Sequence, residues 1–181
     1  LLLFHPLRVR VGVNSAVYRP FQFLGRPYIE IGSNTNILAG AHFEAIDRWR
    51  DQKFQPRIHI GDRVYIGRNS YFTAIGEIGI ADDCVLSDHV YITDEFHQVN
   101  PENGPILFQP LESKGPVKIG KGCFIGYRAA ILPGVTLGDH CVVGTNAVVT
   151  KSFPSYSMIA GSPARLMKVY SHEQRSWVSV K

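Results

Sequence analysis

The sequence lacks the features that mark several other classes of protein. No apolar run approaches the roughly 20 residues of a transmembrane helix, and Leu1–Phe4 is too short for the core of a signal peptide. Cys84, Cys123 and Cys141 show no CxxC spacing, so we expect reduced, packed thiols. With 45% hydrophobic and 19% charged residues, the composition excludes a disordered or fibrous chain. We therefore predict a cytoplasmic protein with no membrane span.

The sequence also has no segment in which basic residues dominate. The net charge is +4 and the isoelectric point is about 9.0, but lysine and arginine are scattered, with small concentrations at 48–57 and 114–121. Nucleic-acid binders usually gather these residues on one face or tail. We therefore predict no nucleic-acid partner and favour an anionic small ligand, while a basic surface without any partner stays open. We find no glycine-rich nucleotide loop and predict no metal site.

What the sequence does contain is a period of six residues. Its longest run has aliphatic side chains at Ile119, Ile125, Ile131, Leu137, Val143 and Val149. Shorter runs with the same period are Ile31, Ile37, Phe43; Ile60, Ile66, Phe72; and Ile80, Leu86, Ile92. A helix would repeat near 3.6 residues, whereas a period of six fits short parallel strands joined by tight turns. Three such hexads close one triangular coil of about 18 residues, and stacked coils bury each other's faces.

Breaks in the repeat divide the chain. We predict an all-β fold with a parallel β-helix over residues 29–168, preceded by a partly irregular segment at 1–28 and followed by a tail or short helix at 169–181. Within the β-helix, the stretches 47–57 and 94–116 are expected to leave the coil as loops. A loop as long as the second is usually functional or disordered.

Beyond the repeat, the sequence resembles the hexapeptide-repeat acetyltransferases. The similarity is carried by Ile125-Gly126, Ile131 to Gly138, Val148 to Lys151, and Ile159 to Arg165. It is strongest to the sugar O-acetyltransferases, which include the maltose, galactoside and nodulation-factor enzymes and those of lipopolysaccharide O-antigen and exopolysaccharide synthesis. The resemblance implies a left-handed β-helix and acetyl-coenzyme A as co-substrate. It also implies a homotrimer with active sites between neighbouring subunits.

Acetyl transfer to a hydroxyl needs a base, donors for the oxyanion, and a positioned thioester. Histidine suits the base because its pKa lies near the working pH. His97 lies where the chain leaves the coil after Ile92, at the place of the family's catalytic histidine. Asp94 or Glu95 would orient its imidazole, although loop solvation is an equally good interpretation of either carboxylate.

The resemblance also assigns residues that have no chemical signature of their own. It implies that the backbone N–H of Tyr127 is the oxyanion donor, although the family more often has a small or polar residue there. It places Asn69 near the acceptor, while a plain turn role for this asparagine stays open. Lys151 and Arg165 are expected at the phosphates of coenzyme A. The full set of expected cofactor residues is Gly126, Gly144, Thr145, Thr150, Lys151, Ala160, Gly161 and Arg165.

We therefore predict an acetyl-coenzyme A:sugar O-acetyltransferase (EC 2.3.1 class) of O-antigen or surface polysaccharide biosynthesis. One alternative is a different acceptor, either the amine of a nucleotide-linked amino sugar or the hydroxyl of serine. A second is a β-helix zinc carbonic anhydrase, but His59, His89 and His97 do not match the spacing of its ligands. A third is a scaffold or ice-binding solenoid, which would need neither His97 nor the long loop.

Overall fold

The computed structural model describes residues 9–20 and 22–180. Short strands wind into six complete coils, and each coil contributes one parallel strand to each of three sheets, which we name faces A, B and C. The predicted left-handed parallel β-helix is confirmed. The strands of face A are Arg10–Val11, Ile29–Ile31, Arg57–Ile60, Glu77–Ile80, Val117–Ile119 and Thr136–Leu137.

Face C has the same number of strands, and face B is longer. The strands of face C are Gln22–Leu24, His42–Ala45, Tyr71–Ala74, Tyr91–Thr93, Ala130–Ile131 and Val148–Val149. The parallel strands of face B are Ala16–Val17, Asn36–Ile37, Tyr65–Ile66, Val85–Leu86, Phe124–Ile125, Val142–Val143 and Ser157–Gly161. Two antiparallel strands, Ala164–Ser171 and Ser176–Ser179, extend this face at the C-terminal end.

Three edges separate the faces, and each edge has its own kind of connection. Tight turns such as 62–63 join face A to face B along the AB edge, and turns such as 68–69 join face B to face C along the BC edge. The CA edge is interrupted twice, by the hairpin Arg48–Trp49 and Gln52–Lys53 and by residues 94–116. Three 3-10 helices occur, at Arg26–Tyr28, Pro101–Asn103 and Ile106–Phe108. Within the described ranges, no helix has the length and apolar character to cross a membrane.

The core is a set of ladders in which each coil covers the next. On face C, Phe23, Phe43 and Phe72 occupy the same register, with ring centroids 4.9 and 4.6 Å apart. The side chains of Phe43 and Phe72 are fully buried. Truncating a buried ring of this kind typically costs about 3–5 kcal/mol, because the rigid coils above and below cannot collapse into the gap.

Glycine follows the core residue because the next coil comes too close for a side chain. A Cβ on Gly61 would lie 2.6 Å from Oδ1 of Asp82 and 2.8 Å from the carbonyl carbon of Ala81. The left-handed backbone of this turn falls two residues later, at Arg63, whose φ is 55°. Close approach of the chain, not a positive φ, therefore explains the glycine at this position of the hexad.

The two ends of the coil differ from the sequence prediction. The strand Gln22–Leu24 pairs in register with His42–Ala45, so the first complete coil precedes residue 29 and lies in the segment expected to be partly irregular. Residues 1–8 of that segment lie outside the described residues. At the C-terminus, the predicted tail or helix is wrong, because Ala164–Ser171 turns back and pairs antiparallel with Ser157–Gly161. Packing of Tyr170 against Trp177, with ring centroids 5.5 Å apart, ties down the last strand.

Candidate active site

The long loop at the CA edge folds around one buried glutamine. The Gln109 side chain, 1% exposed, donates to the carbonyl oxygens of Asn100 and Gly104, both at 2.8 Å. Its Oε1 accepts the backbone N–H of Asn100 at 3.0 Å. These bonds satisfy backbone groups that no strand partner reaches, so residues 94–116 form an ordered unit without the six-residue repeat.

The hairpin at 48–53 holds this loop from the side. The indole N–H of Trp49 donates to the carbonyl of Gln109 at 3.1 Å. The amide of Gln52 makes two bonds with the backbone of Leu111, at 3.1 and 2.8 Å. The two interruptions of the CA edge therefore stabilise each other.

His97 sits where the loop meets the hairpin. It belongs to the short strand Phe96–His97, which pairs with Leu111–Glu112, and its ring packs edge-on against Trp49 with centroids 5.2 Å apart. The ring is half-buried, and its Nδ1 is buried without a hydrogen-bond partner in the described part of the chain. A buried ring nitrogen of this kind costs free energy unless a further group reaches it.

The two neighbouring carboxylates have different surroundings. Asp94 is fully buried, and its oxygens accept the backbone N–H groups of Ile75 at 2.9 Å and Gly76 at 2.8 Å. It therefore braces the preceding turn of the CA edge. Burial raises the pKa of Asp94, and these N–H bonds oppose the shift. Burial also raises the pKa of half-buried Glu95, whereas the charge of His97 lowers it.

A cleft of about 430 Å³ opens beside this loop on face C. Its lining comprises Tyr91, Thr93, Glu95, Phe96, Lys114, Leu132, Pro133 and Thr150. The Lys114 ammonium lies 5.5 Å from the centroid of the Phe96 ring, and exposed Lys151 follows Thr150 with its ammonium 5.6 Å from the Phe153 ring. The cleft therefore combines an apolar wall, a carboxylate and a nearby cation.

The BC edge carries the predicted acceptor residue, Asn69, and the predicted oxyanion donor, Tyr127. Asn69 has φ 54°, and a Cβ on Gly40 would lie 2.0 Å from its Oδ1, so its side chain lies against the preceding turn. Tyr127 is 37% exposed, and its carbonyl accepts the N–H of Asn146 at 2.8 Å. Gly126 has no room for a side chain, because a Cβ would lie 2.7 Å from the N of Thr145.

Small residues continue along this edge toward the C-terminus. Gly144 and Ala160 are stacked so closely that a Cβ on Gly144 would lie 3.0 Å from the Cβ of Ala160. The edge is low here, in the sense that no large side chain of these two residues covers its backbone. Gly161, with φ 98°, ends the last parallel strand of face B. Exposed Arg165 pairs with Ala160 across the return strand, and its guanidinium donates to the carbonyl of Ala164 at 3.1 Å. Backbone and one cation therefore dominate this surface.

One chain does not bring the predicted base and the predicted oxyanion donor together. His97, Thr150 and Lys151 lie at the CA edge, whereas Asn69 and Tyr127 lie at the BC edge. Face C lies between the two edges. Its longest strands have four residues, and at about 3.3 Å per residue such a strand holds the edges about 13 Å apart. The predicted cofactor residues divide between the same two edges.

Sequence reasoning missed a polar cluster on the outer surface of face C. Glu44 Oε2 accepts the phenol O–H of Tyr71 at 3.0 Å and lies 3.3 Å from Nε2 of His42. Burial and the charge of Glu44 raise the pKa of Tyr71. The rings of His42 and Tyr71 stack with centroids 4.1 Å apart. These residues occupy outward positions of ordinary hexads, so only their register across strands reveals the cluster.

The histidines do not converge on a metal. His59 lies on face A, His89 at the BC edge and His97 at the CA edge. Over residues 9–20 and 22–180, no group of His, Cys, Asp and Glu side chains is arranged to hold a metal ion.

A triangular parallel β-helix with a histidine-bearing loop at one edge and a low, small-residue edge at another defines the scaffold of the hexapeptide-repeat acyltransferases. A family profile described as the hexapeptide repeat of succinyl-transferase matches residues 57–94 and 116–151. The WbbJ protein of Escherichia coli, named as a lipopolysaccharide biosynthesis O-acetyl transferase, is 33% identical over 156 residues, which cover 82% of this chain and 76% of that protein. The chain belongs to the hexapeptide-repeat acetyltransferase family.

Other relatives agree with this placement. A Mycobacterium tuberculosis protein named as an acetyltransferase is 30% identical over 94% of this chain, which spans 56% of that protein. A maltose O-acetyltransferase structure from Clostridium difficile 630 matches with a TM-score of 0.57 and 26% identity, covering 77% of this chain and 71% of that chain. The N-acyltransferase AntD from Bacillus cereus, in complex with dTDP and 3-hydroxybutyryl-CoA, shares the fold, with a TM-score of 0.72, 18% identity, and coverage of 92% and 86%.

Proposed function

We propose that the protein transfers an acetyl group from acetyl-coenzyme A to a sugar hydroxyl, at a site formed by the CA edge of one copy and the BC edge of the next. The observation that carries this proposal is the position of His97 and Tyr127 on opposite borders of face C. A cyclic homotrimer, in which every copy uses both edges, closes such a heterologous contact. The buried, unpartnered Nδ1 of His97 is consistent with a loop that is completed by a neighbour.

His97 acts as the general base. It takes the proton of the acceptor hydroxyl as the oxygen attacks the thioester carbonyl, and Glu95 stabilises the resulting imidazolium. The backbone N–H of Tyr127 donates to the oxyanion. As the oxyanion collapses, the C–S bond breaks and the new C–O bond remains. His97 then gives the proton to the departing thiolate.

The residues present fit coenzyme A when two edges are combined. Gly144 and Ala160 leave the BC edge low enough for the pantetheine arm to lie against the backbone, together with Thr145 and Gly161. Exposed Arg165 on the same copy and Lys151 on the next supply cations for phosphates. When bound, acetyl-coenzyme A supplies the activated acetyl group.

The names of the relatives support a sugar hydroxyl as the acceptor. WbbJ and the maltose enzyme are named as O-acetyltransferases of saccharide substrates, which supports a sugar hydroxyl and a role in surface polysaccharide biosynthesis. AntD, which is named as an N-acyltransferase, makes an amino sugar the alternative acceptor. The same base and donor would serve both reactions, so the test compares both kinds of acceptor.

The test measures thiol release from acetyl-coenzyme A with a panel of hexoses and amino sugars. We expect His97→Asn to lower the rate about 100-fold or more, while coenzyme A binding, measured by calorimetry, is retained. The matched control is His140→Asn, which replaces an exposed histidine in an AB-edge turn and should keep the wild-type rate. Equal rates in both variants would remove His97 from the mechanism, and acetylation of amines alone would establish the alternative acceptor.

A further inference from the structure

Arg128, an arginine at the BC edge, forms no ion pair with a carboxylate in the described part of the chain. The Arg128 guanidinium lies 5.1 Å from the centroid of the Tyr127 ring, and His89 contacts the same ring edge-on at 5.5 Å. Arg63 and Arg68 both form ion pairs, with Asp83 and Asp88, whereas Arg128 forms none with any described residue. An aromatic face holds a guanidinium in place without neutralising it.

The position of Arg128 along the BC edge determines which part of the proposed site it can reach. Coil by coil, the BC edge presents Asn69, His89, Tyr127 and Thr145, and Gly161 lies at its C-terminal end. The residues proposed for coenzyme A lie on the C-terminal side of Tyr127. The acceptor must therefore approach from the other side or from directly beside Tyr127, where the cationic groups of this edge are found.

Those cations are barely offset by acidic groups. The BC-edge turns 39–40, 68–69, 88–89, 127–128 and 145–146 contain a single acidic residue, Asp88. Its Oδ1 accepts the backbone N–H of Arg68 at 2.7 Å, and its Oδ2 lies 3.8 Å from the guanidinium of Arg68. Asp88 is therefore engaged locally, and it leaves the charge of Arg128 free to act on a ligand.

We propose that Arg128 selects acceptors that carry an anionic group, phosphate or carboxylate, beside the sugar that is acetylated. This inference rests on the proposed acetyl transfer at Tyr127. Guanidinium is suited to the role because its planar fork binds either oxyanion through two parallel N–H···O bonds. Stacking on Tyr127 orients the fork before the acceptor arrives, so less conformational entropy is lost on binding.

The structure supplies a conservative variant and a matched control. Arg128 has φ 55° in its turn, and asparagine occupies the equivalent position in other turns of the same edge, at Asn69 and Asn146. Arg128→Asn should therefore preserve the fold. Arg175 is also an exposed arginine with a positive φ, 49°, but it lies in the C-terminal turn before Ser176–Ser179. Arg175→Asn removes the same charge with the same backbone demand, away from the BC edge.

Binding is measured first, by calorimetry without acetyl-coenzyme A, and compares N-acetylglucosamine, its 1-phosphate and glucuronate. We expect wild type and Arg175→Asn to bind at least one anionic sugar about tenfold more tightly than the neutral one, and Arg128→Asn to lose this preference. A preference for the phosphate alone would identify phosphorylated acceptors, and one for glucuronate alone would identify uronic acids. Equal affinity of wild type for all three sugars would overturn the proposal.

Kinetics then separate this proposal from the proposed reaction. In Arg128→Asn we expect KM for the preferred anionic acceptor to rise about tenfold, with kcat and the neutral acceptor changed less than about twofold. Thiol release that does not distinguish charged from neutral acceptors in wild type would overturn the role of Arg128 but leave acetyl transfer standing. Anionic preference in binding without any thiol release would retain the site and overturn the reaction.

Discussion

The AB and CA edges both connect strands of the six-residue repeat, but the connections at the two edges differ. The AB edge is a row of uniform turns whose charges pair along the row, as in Arg63 with Asp83 and Lys121 with Asp83 at 3.4 Å. The CA edge is interrupted twice, and its polar groups are buried in the inserted segments, as Asp94 and Gln109 are. In the uniform turns, polar groups interact with water and with neighbouring turns. Inserted segments must satisfy theirs internally, and one of them holds the half-buried ring of His97 against Trp49.

The largest expected effect comes from disabling the CA and BC edges in separate copies. His97→Asn removes the proposed base, and Tyr127→Pro removes the proposed donor N–H. The fold should tolerate the proline because Pro133 occupies the same place in the turn 133–134. Each variant alone should lose at least about 100-fold in rate. If the two variants are mixed in equal amounts and refolded, about a quarter of the sites in the proposed trimer combine an intact base with an intact donor, so activity should return to about a quarter of wild type.

A mixture that stays inactive, while mass measurements show mixed assemblies, would locate both groups in one copy and contradict the shared site. His140→Asn mixed with Tyr127→Pro serves as the control. It should keep about half of the wild-type activity, because every copy then has an intact His97 and half of the copies have an intact Tyr127.

The second-largest expected effect is a difference in unfolding free energy between removing a carboxylate at the CA edge and removing one at the AB edge. Asp94→Ala leaves two buried N–H groups unsatisfied and should cost about 3 kcal/mol of unfolding free energy. Asp139 accepts the N–H of Lys121 at 2.8 Å in an exposed turn, where water can replace the carboxylate, so Asp139→Ala should cost below about 1 kcal/mol. Urea denaturation of the two variants measures both values. Equal losses would mean that burial does not distinguish the edges.

The smallest expected effect is that Glu95→Gln and Asp83→Asn change the melting temperature in opposite directions at pH 8. The pKa of Glu95 is raised by burial, so the folded state disfavours its charge once the pH rises through the folded pKa. Glu95→Gln should therefore raise the melting temperature at pH 8, and the gain should vanish near about pH 4. The pKa of Asp83 is lowered, chiefly by its hydrogen bond to Arg63, so Asp83→Asn should lower the melting temperature at pH 8.

The Asp83→Asn loss should shrink as the pH falls through the carboxylate range, because the protonated native carboxyl then resembles the amide. Thermal melts of both variants and wild type across this range measure the two trends. Shifts of the same sign at pH 8 would contradict the contrast between the edges. We also expect Glu95→Gln to reduce the rate of acetyl transfer, since it removes the partner of the imidazolium.

The fold was predictable where the hexad alone determines it. From Ile119 to Val149 the core position and the turn recur without a break, and glycine follows four of the six core residues, so the local preferences agree with the coil. The C-terminal strand Ala164–Ser171 was missed because its alternating burial follows a period of two, which a search for six cannot detect. The hairpin and the long loop were detected only as breaks in phase, since the bonds of Gln109 go to backbone atoms that folding alone brings together.

The sequence points to individual candidate residues of the site but not to their arrangement. His97 is a candidate because it follows the point where the chain leaves the coil, and that point is visible in the sequence. The distance between His97 and Tyr127 depends on which edge each turn occupies, and a hexad motif is the same on every edge. Arg128 was missed for a related reason, because its significance lies in the carboxylates that the BC edge lacks and in its contact with Tyr127.

The returning strand at the C-terminus has a consequence for the behaviour of the coil in concentrated solution. A stack of parallel strands ends in a row of unpaired N–H and C=O groups, which can template the next strand of another molecule and so start a fibre. On face B that row is covered by Ala164–Ser171 and then by Ser176–Ser179, which run against the direction of the coil. A second molecule therefore meets a reversed, short strand in place of the continuing spiral. We therefore expect Ala164–Ser171 and Ser176–Ser179 to disfavour end-to-end association of the coil through face B.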